Sequence, residues 1–195
     1  MAVKIRVVAC DVPSDSIFHG SLPRIDYRDA FAAQFRSPRE LVVDDAYRAF
    51  FRTVPRWISA LMRLRNAIVK RLGLKYAQGV APESLERLPI AKGSATGLFQ
   101  VYEVGPGEIL SGEDDKHLDF RVLVRLERLA AQAGAGEYRL LVATDVRFRN
   151  ILGRLYFVPV GIFHRLIVPA MVRAIVKDLS ASGYPADSGK KETSR

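Results

Sequence analysis

The chain has 195 residues, 49% of them hydrophobic and 26% charged, which is enough for one domain with a packed core and argues against global disorder. A single cysteine excludes a disulfide framework and any all-cysteine metal site. The net charge of +9 favours anionic partners or surfaces and says nothing about fold.

Residues 3–8 (V-K-I-R-V-V) alternate in part and predict an extended segment, which Val12-Pro13-Ser14-Asp15 breaks. Residues 26–35 predict a strand. Tyr27, Phe31, Ala33 and Phe35 fall on one face, and Arg28, Gln34 and Arg36 on the other. Asp29 lies on the apolar face. Asp44-Asp45 opens a helix reaching Val54, with acids where the helix dipole favours them. Pro55 suits the start of a second helix, which runs to Leu72 and stops at Gly73. Residues 75–95 read as a loop. Strands follow at 97–104, 108–111, 118–129 and 137–148. Gly105-Pro106-Gly107 is a tight turn between the first two, and the run A-A-Q-A-G-A-G (130–136) a flexible turn between the last two. A short helix at 151–157 and a long one at 161–179 close the fold, with a kink at Pro169. The expected division is an extended segment (1–23), one domain (24–180) and a disordered tail (181–195).

Strand, two helices, antiparallel strands and a long C-terminal helix argue for an α+β class rather than a parallel doubly wound sheet. The natural packing is a curved antiparallel sheet around the C-terminal helix, with the helical pair placed after the first strand. The longest apolar stretch, residues 151–176, is interrupted by Arg154, His164, Arg165 and Arg173. A charge at the bilayer centre costs roughly 2.5–3.5 kcal/mol, so no membrane span is expected. The N-terminus has no apolar run of signal-peptide length, and a cytoplasmic protein is expected.

Periodicity also sorts the polar residues. In 118–126, Leu118, Phe120, Val122, Val124 and Leu126 share a dry face, and His117, Asp119, Arg121, Arg125 and Glu127 a wet one. The H-x-D pattern at 117–119 therefore points outward. It offers two ligands where zinc needs three or four, and no metal is expected. The plain reading of this face is a cross-strand charge ladder with Arg139, Asp145, Arg147 and Arg149 of the next strand. On the second helix, Trp57, Leu61, Leu64, Ile68 and Leu72 form the apolar stripe, and Arg65 falls in its middle. On the C-terminal helix, His164 lands among Ile167, Val168, Met171 and Ile175. Asp29, Arg65 and His164 are thus three polar residues on dry faces. Thr144 and Tyr138 share the dry face of the last strand, and Tyr102 joins them on an ambiguous alternation. A buried charge is costly unless paired, so Asp29 with Arg65 is the preferred pair, His164 joining it or lying elsewhere in a cavity. A purely structural pair tying strand to helix is the competing reading.

Four motifs in order, D-Y-R-D-A-F (26–31), P-R-W-I-S-A-L-M-R-L-R-N (55–66), G-E-D-D-K-H-L-D-F-R (112–121) and N-I-L-G-R-L-Y-F-x-P-V-x-x-F-H-R-L-I-V-P (150–169), resemble a bacterial family of unknown function, DUF2867, of the START-like (SRPBCC, helix-grip) superfamily. The resemblance implies a cavity between sheet and C-terminal helix, suited to a hydrophobic small molecule. It implies no established reaction and no agreed catalytic set.

The remaining chemistry is sparse. No serine sits in a nucleophile elbow, Cys10 reads as a lone packed thiol, and K-G-S-A-T-G (92–97) lacks Walker spacing, so no cofactor is expected. Residues 44–75 hold eight basic groups against Asp44 and Asp45. Arg52, Arg56, Arg63 and Lys70 form a stripe without interleaved aromatics, which disfavours nucleic acid. Three readings follow. The first is a module binding a hydrophobic or amphipathic small molecule, with Arg65, His164, Asp29, Tyr102, Thr144 and Tyr138 as ligand contacts. The second is an enzyme of cyclase, hydrolase or isomerase type, with His164 and Asp29 as acid and base. The third is a surface-interaction protein using the basic helical hairpin, a membrane surface being one partner. Oligomeric state is not legible.

Overall fold

The computed structural model describes residues 5–71, 89–97, 99–132 and 135–181. The elements in chain order are β1 (Val7–Ala9), β2 (Tyr27–Ser37), α1 (Val43–Arg52), α2 (Arg56–Arg71), β3 (Ala95–Thr96), β4 (Phe99–Gly105), β5 (Glu108–Asp114), β6 (Leu118–Gln132), β7 (Ala135–Phe148) and α3 (Ile151–Ala181). The strands form one antiparallel sheet in the order β1-β2-β7-β6-β5-β4-β3. The α+β class and the long C-terminal helix expected from the sequence are both present. The tail beyond residue 181 and most of the 75–95 loop lie outside the described residues.

β2 forms because its side chains alternate, and that alternation sets which face meets the helices. Phe31, Ala33 and Phe35 pack with Leu140 and Val142 of β7 and Val122, Val124 and Leu126 of β6 into the main core. α1 closes one end of this face through buried Ala46, Tyr47 and Ala49. Its start is fixed by the Asp45 carboxylate, which accepts from the Val42 backbone N–H at 3.0 Å and from Arg39 at 3.0 Å.

α3 corrects the expectation of two helices. It is continuous over 31 residues with Pro159 and Pro169 inside it. An interior proline costs about 3 kcal/mol. Val168, Met171, Val172, Ile175, Val176 and Leu179 are all buried against the sheet, and each contributes about 1.5–3 kcal/mol, which outweighs the prolines. By length and composition α3 is also apolar enough to cross a membrane, despite its interrupting charges. Its C-terminal half is nevertheless built into the core.

The strands run further than their composition suggested. β6 and β7 extend through Gln132 and from Ala135 into the Ala/Gly-rich stretch. The turn at Gly105-Pro106-Gly107 is present, with Gly107 at φ 72°, where a Cβ would also lie 2.9 Å from the Leu126 carbonyl oxygen.

The opposite face of the sheet departs most from expectation. Residues 10–22 cross it and bury Phe18 against Ala30, Ala32, Leu110, Leu123, Leu141 and Ala143. The supposed wet face is therefore covered, and Asp119, Arg121 and Asp145 are buried. The charge ladder does form. Arg28 grips Asp145 with two bonds of 2.6 Å, while Arg149 and Arg147 approach Asp119 at 2.7 and 3.6 Å. Arg125 bonds Glu108 and Glu127, each at 2.6 Å. Glu108 in turn accepts the Ile17 backbone N–H at 2.9 Å, which holds the crossing segment down. The boundary expected at residue 24 does not divide this packing.

Candidate functional site

Between the sheet, α1, α2 and α3 lies a cavity of about 330 Å³. Its walls are mostly apolar. Phe120, Val122, Val142 and Val146 line the sheet side, Val54, Ile58 and Met62 come from the α1–α2 region, and Phe157, Val160, Ile167, Val168 and Met171 from α3. Phe50, Phe51, Phe99 and Phe120 form an edge-on aromatic chain along one wall, with ring centroids 5.1–5.8 Å apart. α2 contributes because Ile58 is buried, whereas Trp57 is 45% exposed. At the start of α2 it is thus Ile58, not the expected Trp57, that turns inward, and the expected stripe positions Leu64, Ile68 and Leu72 lie outside the described side chains.

Few polar groups reach this cavity. His164 and Thr144 line it at one place, and Glu113, Asp115 and His117 at another. His164 Nδ1 lies 2.8 Å from Asp29 Oδ2, their side chains being 20% and 11% exposed. A carboxylate only accepts, so Nδ1 carries the hydrogen and Nε2 is left as the ring's second polar atom. The Tyr27 hydroxyl donates to the same Asp29 oxygen at 2.6 Å, and its ring meets His164 edge-on at 5.9 Å. Burial pushes the Tyr27 phenol well above its ordinary range, and the hydrogen bond to a carboxylate pushes it the same way, so it stays a donor. Asp29 Oδ1 is buried with no hydrogen-bond partner among the described residues.

Among the described residues Asp29 meets His164 and Tyr27, and the expected pairing of Asp29 with Arg65 lies outside them. Arg65 lies within α2, and its side chain is outside the described residues. Thr144 lines the cavity. Tyr138 does not. It is buried in the core beyond the cavity, where its hydroxyl accepts the Leu41 backbone N–H at 3.0 Å. Tyr102 sits on the other face of the sheet, with the Arg121 guanidinium 3.7 Å above its ring. Phe99 and Val101 face the main core, so plain alternation along β4 puts Tyr102 on the opposite side.

The H-x-D pattern also splits. His117 precedes β6 and turns into the cavity, 3.3 Å from Asp115 and edge-on to Tyr156 at 5.3 Å. Asp119 stays on the outer face with its arginines. The start of α3 is brought against this loop by Gly153, where a Cβ would lie 2.0 Å from the His117 carbonyl oxygen. No group of three or more metal-ligating side chains is found among the described residues. Cys10 is half-buried on the outer face, and burial pushes its thiol up, the reverse of what a nucleophile needs.

Residues 21–171 match the family described as Protein of unknown function (DUF2867). The chain belongs to this family. The match spans β2 to β7, both early helices and α3 as far as Met171, so the Asp29–His164 pair and the residues lining the cavity lie inside the DUF2867 region, while β1 lies outside it. Residues 10–20 of the crossing segment lie outside it. No curated protein and no solved structure matches the DUF2867 chain.

The sequence reading of this DUF2867 site missed Phe50, Phe51, Phe99, Tyr27 and His117. For the phenylalanines a signal existed in the aromatic pair on α1. For His117 none did, since only the turn before β6 decides where it points.

Proposed function

We propose that this protein binds a hydrophobic or amphipathic small molecule between the sheet and α3, as a helix-grip domain of the START-like superfamily working in the cytoplasm. The observation that carries the reading is a mostly apolar cavity of about 330 Å³ with the Asp29–His164 pair in its wall. Ligand pockets combine apolar walls with a few placed polar groups in this way. Asp29 and Tyr27 hold the imidazole, and Nε2 is the atom free to meet the ligand's polar end. Thr144 supplies a second hydrogen-bonding group. The aromatic chain of Phe50, Phe51, Phe99 and Phe120 favours a flat or acyl ligand body.

Native mass spectrometry of the protein from its own host, with identification of what is released, tests this. A reproducible bound compound that is lost in His164→Gln, and excluded by Val142→Phe, is the expected result. A clean unliganded mass, with no thermal shift from fatty acids or aromatic acids, refutes it.

A second reading is an enzyme in the same cavity, and the 2.8 Å Asp29–His164 contact favours it. A carboxylate that fixes the histidine tautomer leaves Nε2 as an acid–base group. That reading requires turnover of the released compound, abolished in His164→Ala with binding retained.

A further inference from the structure

We propose that the outer face of the N-terminal half of α3 rests on an anionic lipid surface. Ile151, Leu155, Val158, Ile162 and Leu166 are all exposed, Ile151 at 75% and Leu155 and Ile162 at 66% each. They recur at intervals of three and four, so they form one stripe, about 22 Å long at 1.5 Å per residue. The opposite side of the same half supplies Phe157, Val160 and His164 to the cavity. This half of the helix is therefore apolar nearly all round, and a helix of that kind needs cover on both sides. The described residues cover only one. An exposed apolar strip of this size marks an interaction surface.

Charge decides the occupant. From residue 151 to 177 the helix carries Arg154, Arg165, Arg173 and Lys177 and no Asp or Glu. All four basic side chains are exposed. A second copy laid against the stripe would bring like charges together, and the one carboxylate of α3, Asp178, lies beyond the stripe and pairs with Arg52. Lipid headgroups of negative charge supply that partner, and arginines flanking an apolar stripe keep their stems in the apolar layer and their heads in the headgroups. Because the stripe and the cavity wall are on opposite sides of α3, this surface is testable whatever the cavity holds.

The experiment is co-sedimentation of the full chain with phosphatidylcholine vesicles, with and without phosphatidylglycerol, against the variant Leu155→Glu/Ile162→Glu. Both positions are exposed, and circular dichroism checks that the variant folds, with Val158→Glu as a milder second variant. The expected result is binding to the anionic vesicles, weakened by raised salt and reduced about tenfold or more in the variants. No binding by the wild type, equal binding to vesicles of phosphatidylcholine alone, or binding that survives the substitutions overturns the proposal. So does a wild-type dimer that the substitutions dissolve without any vesicle binding, which would assign the stripe to a second copy.

Discussion

Gly153→Ala sets two magnitudes of opposite sign against each other. Alanine is a better helix former than glycine by about 0.8–1 kcal/mol, which predicts a more stable protein. The added Cβ, however, would lie 2.0 Å from the His117 carbonyl oxygen and 2.9 Å from its carbon. Backbone at that range does not yield as a side-chain tip does. Either α3 shifts outward in its first turns or the turn before β6 is displaced, and overpacking of this kind costs about 1–3 kcal/mol. With the clash at the upper end, the net loss is about 1–2 kcal/mol, or a fall in Tm of about 2–8 °C for a domain of this size. Gly161→Ala is the control. There the Cβ meets only the Phe157 ring, at 3.1 Å, and the ring can give way. That variant should hold its Tm or gain slightly from helix propensity. Differential scanning calorimetry of the two variants decides the matter. A Gly153→Ala protein as stable as wild type would refute the close approach of α3 to the β6 turn, and with it the position of His117 in the cavity.

On the outer face, Asp145→Ala should cost about 2–3 kcal/mol in urea unfolding, less than the 3–5 of a fully enclosed pair, because the Arg28 side chain is one-third exposed and regains water. A change below about 0.5 kcal/mol would mean that the ladder is only decorative. Stability should also fall in acid. Burial alone would raise the Asp114 carboxyl, but the hydrogen bond and charge of Arg121 outweigh it and hold Asp114 below its ordinary range. Asp26 is held down in the same sense by Arg24 and the Phe148 backbone N–H, again against burial. A carboxyl lowered by folding adds stability above about pH 4, and loses it as pH drops through the folded value. The urea midpoint should therefore decline below pH 4, and Asp26→Asn/Asp114→Asn should flatten that decline; an unaltered profile contradicts the two pairings.

The sequence carried the strand alternation, the helix order and the placement of His164 on an apolar face because these depend on period alone. Which inward polar residues meet does not. Asp29 and His164 are 135 positions apart, and only the seating of α3 across β2 brings them together. The face of 117–127 failed for a different reason. Alternation reports which side is polar, and it is blind to a segment such as 10–22 folding over that side. Pro13 and Ser14 read as a break, yet Phe18 four residues further on is a fully buried anchor. Tyr102 was lost to the choice of face on β4, where Phe99 and Val101 take the inner one, and on α2 it is Ile58 rather than Trp57 that turns inward. The strand ends at 130–136 were lost because Ala and Gly are poor strand formers, whereas the ladder between β6 and β7 is made by backbone.

The pairing of β2 with β7 has a consequence during synthesis. Arg28 and Asp145 face each other across the two strands, 117 residues apart. At ribosomal speeds of about 5–20 residues per second, the leading strand waits roughly 6–23 s for its neighbour to be made. Throughout that interval the β2 edge that faces β7 is unpaired and the strand carries three aromatic side chains, a hazard for association between nascent chains. Arg28, Gln34 and Arg36 alternate with those aromatics along the strand. Before they serve the folded sheet, they act as gatekeepers that keep the waiting strand in solution.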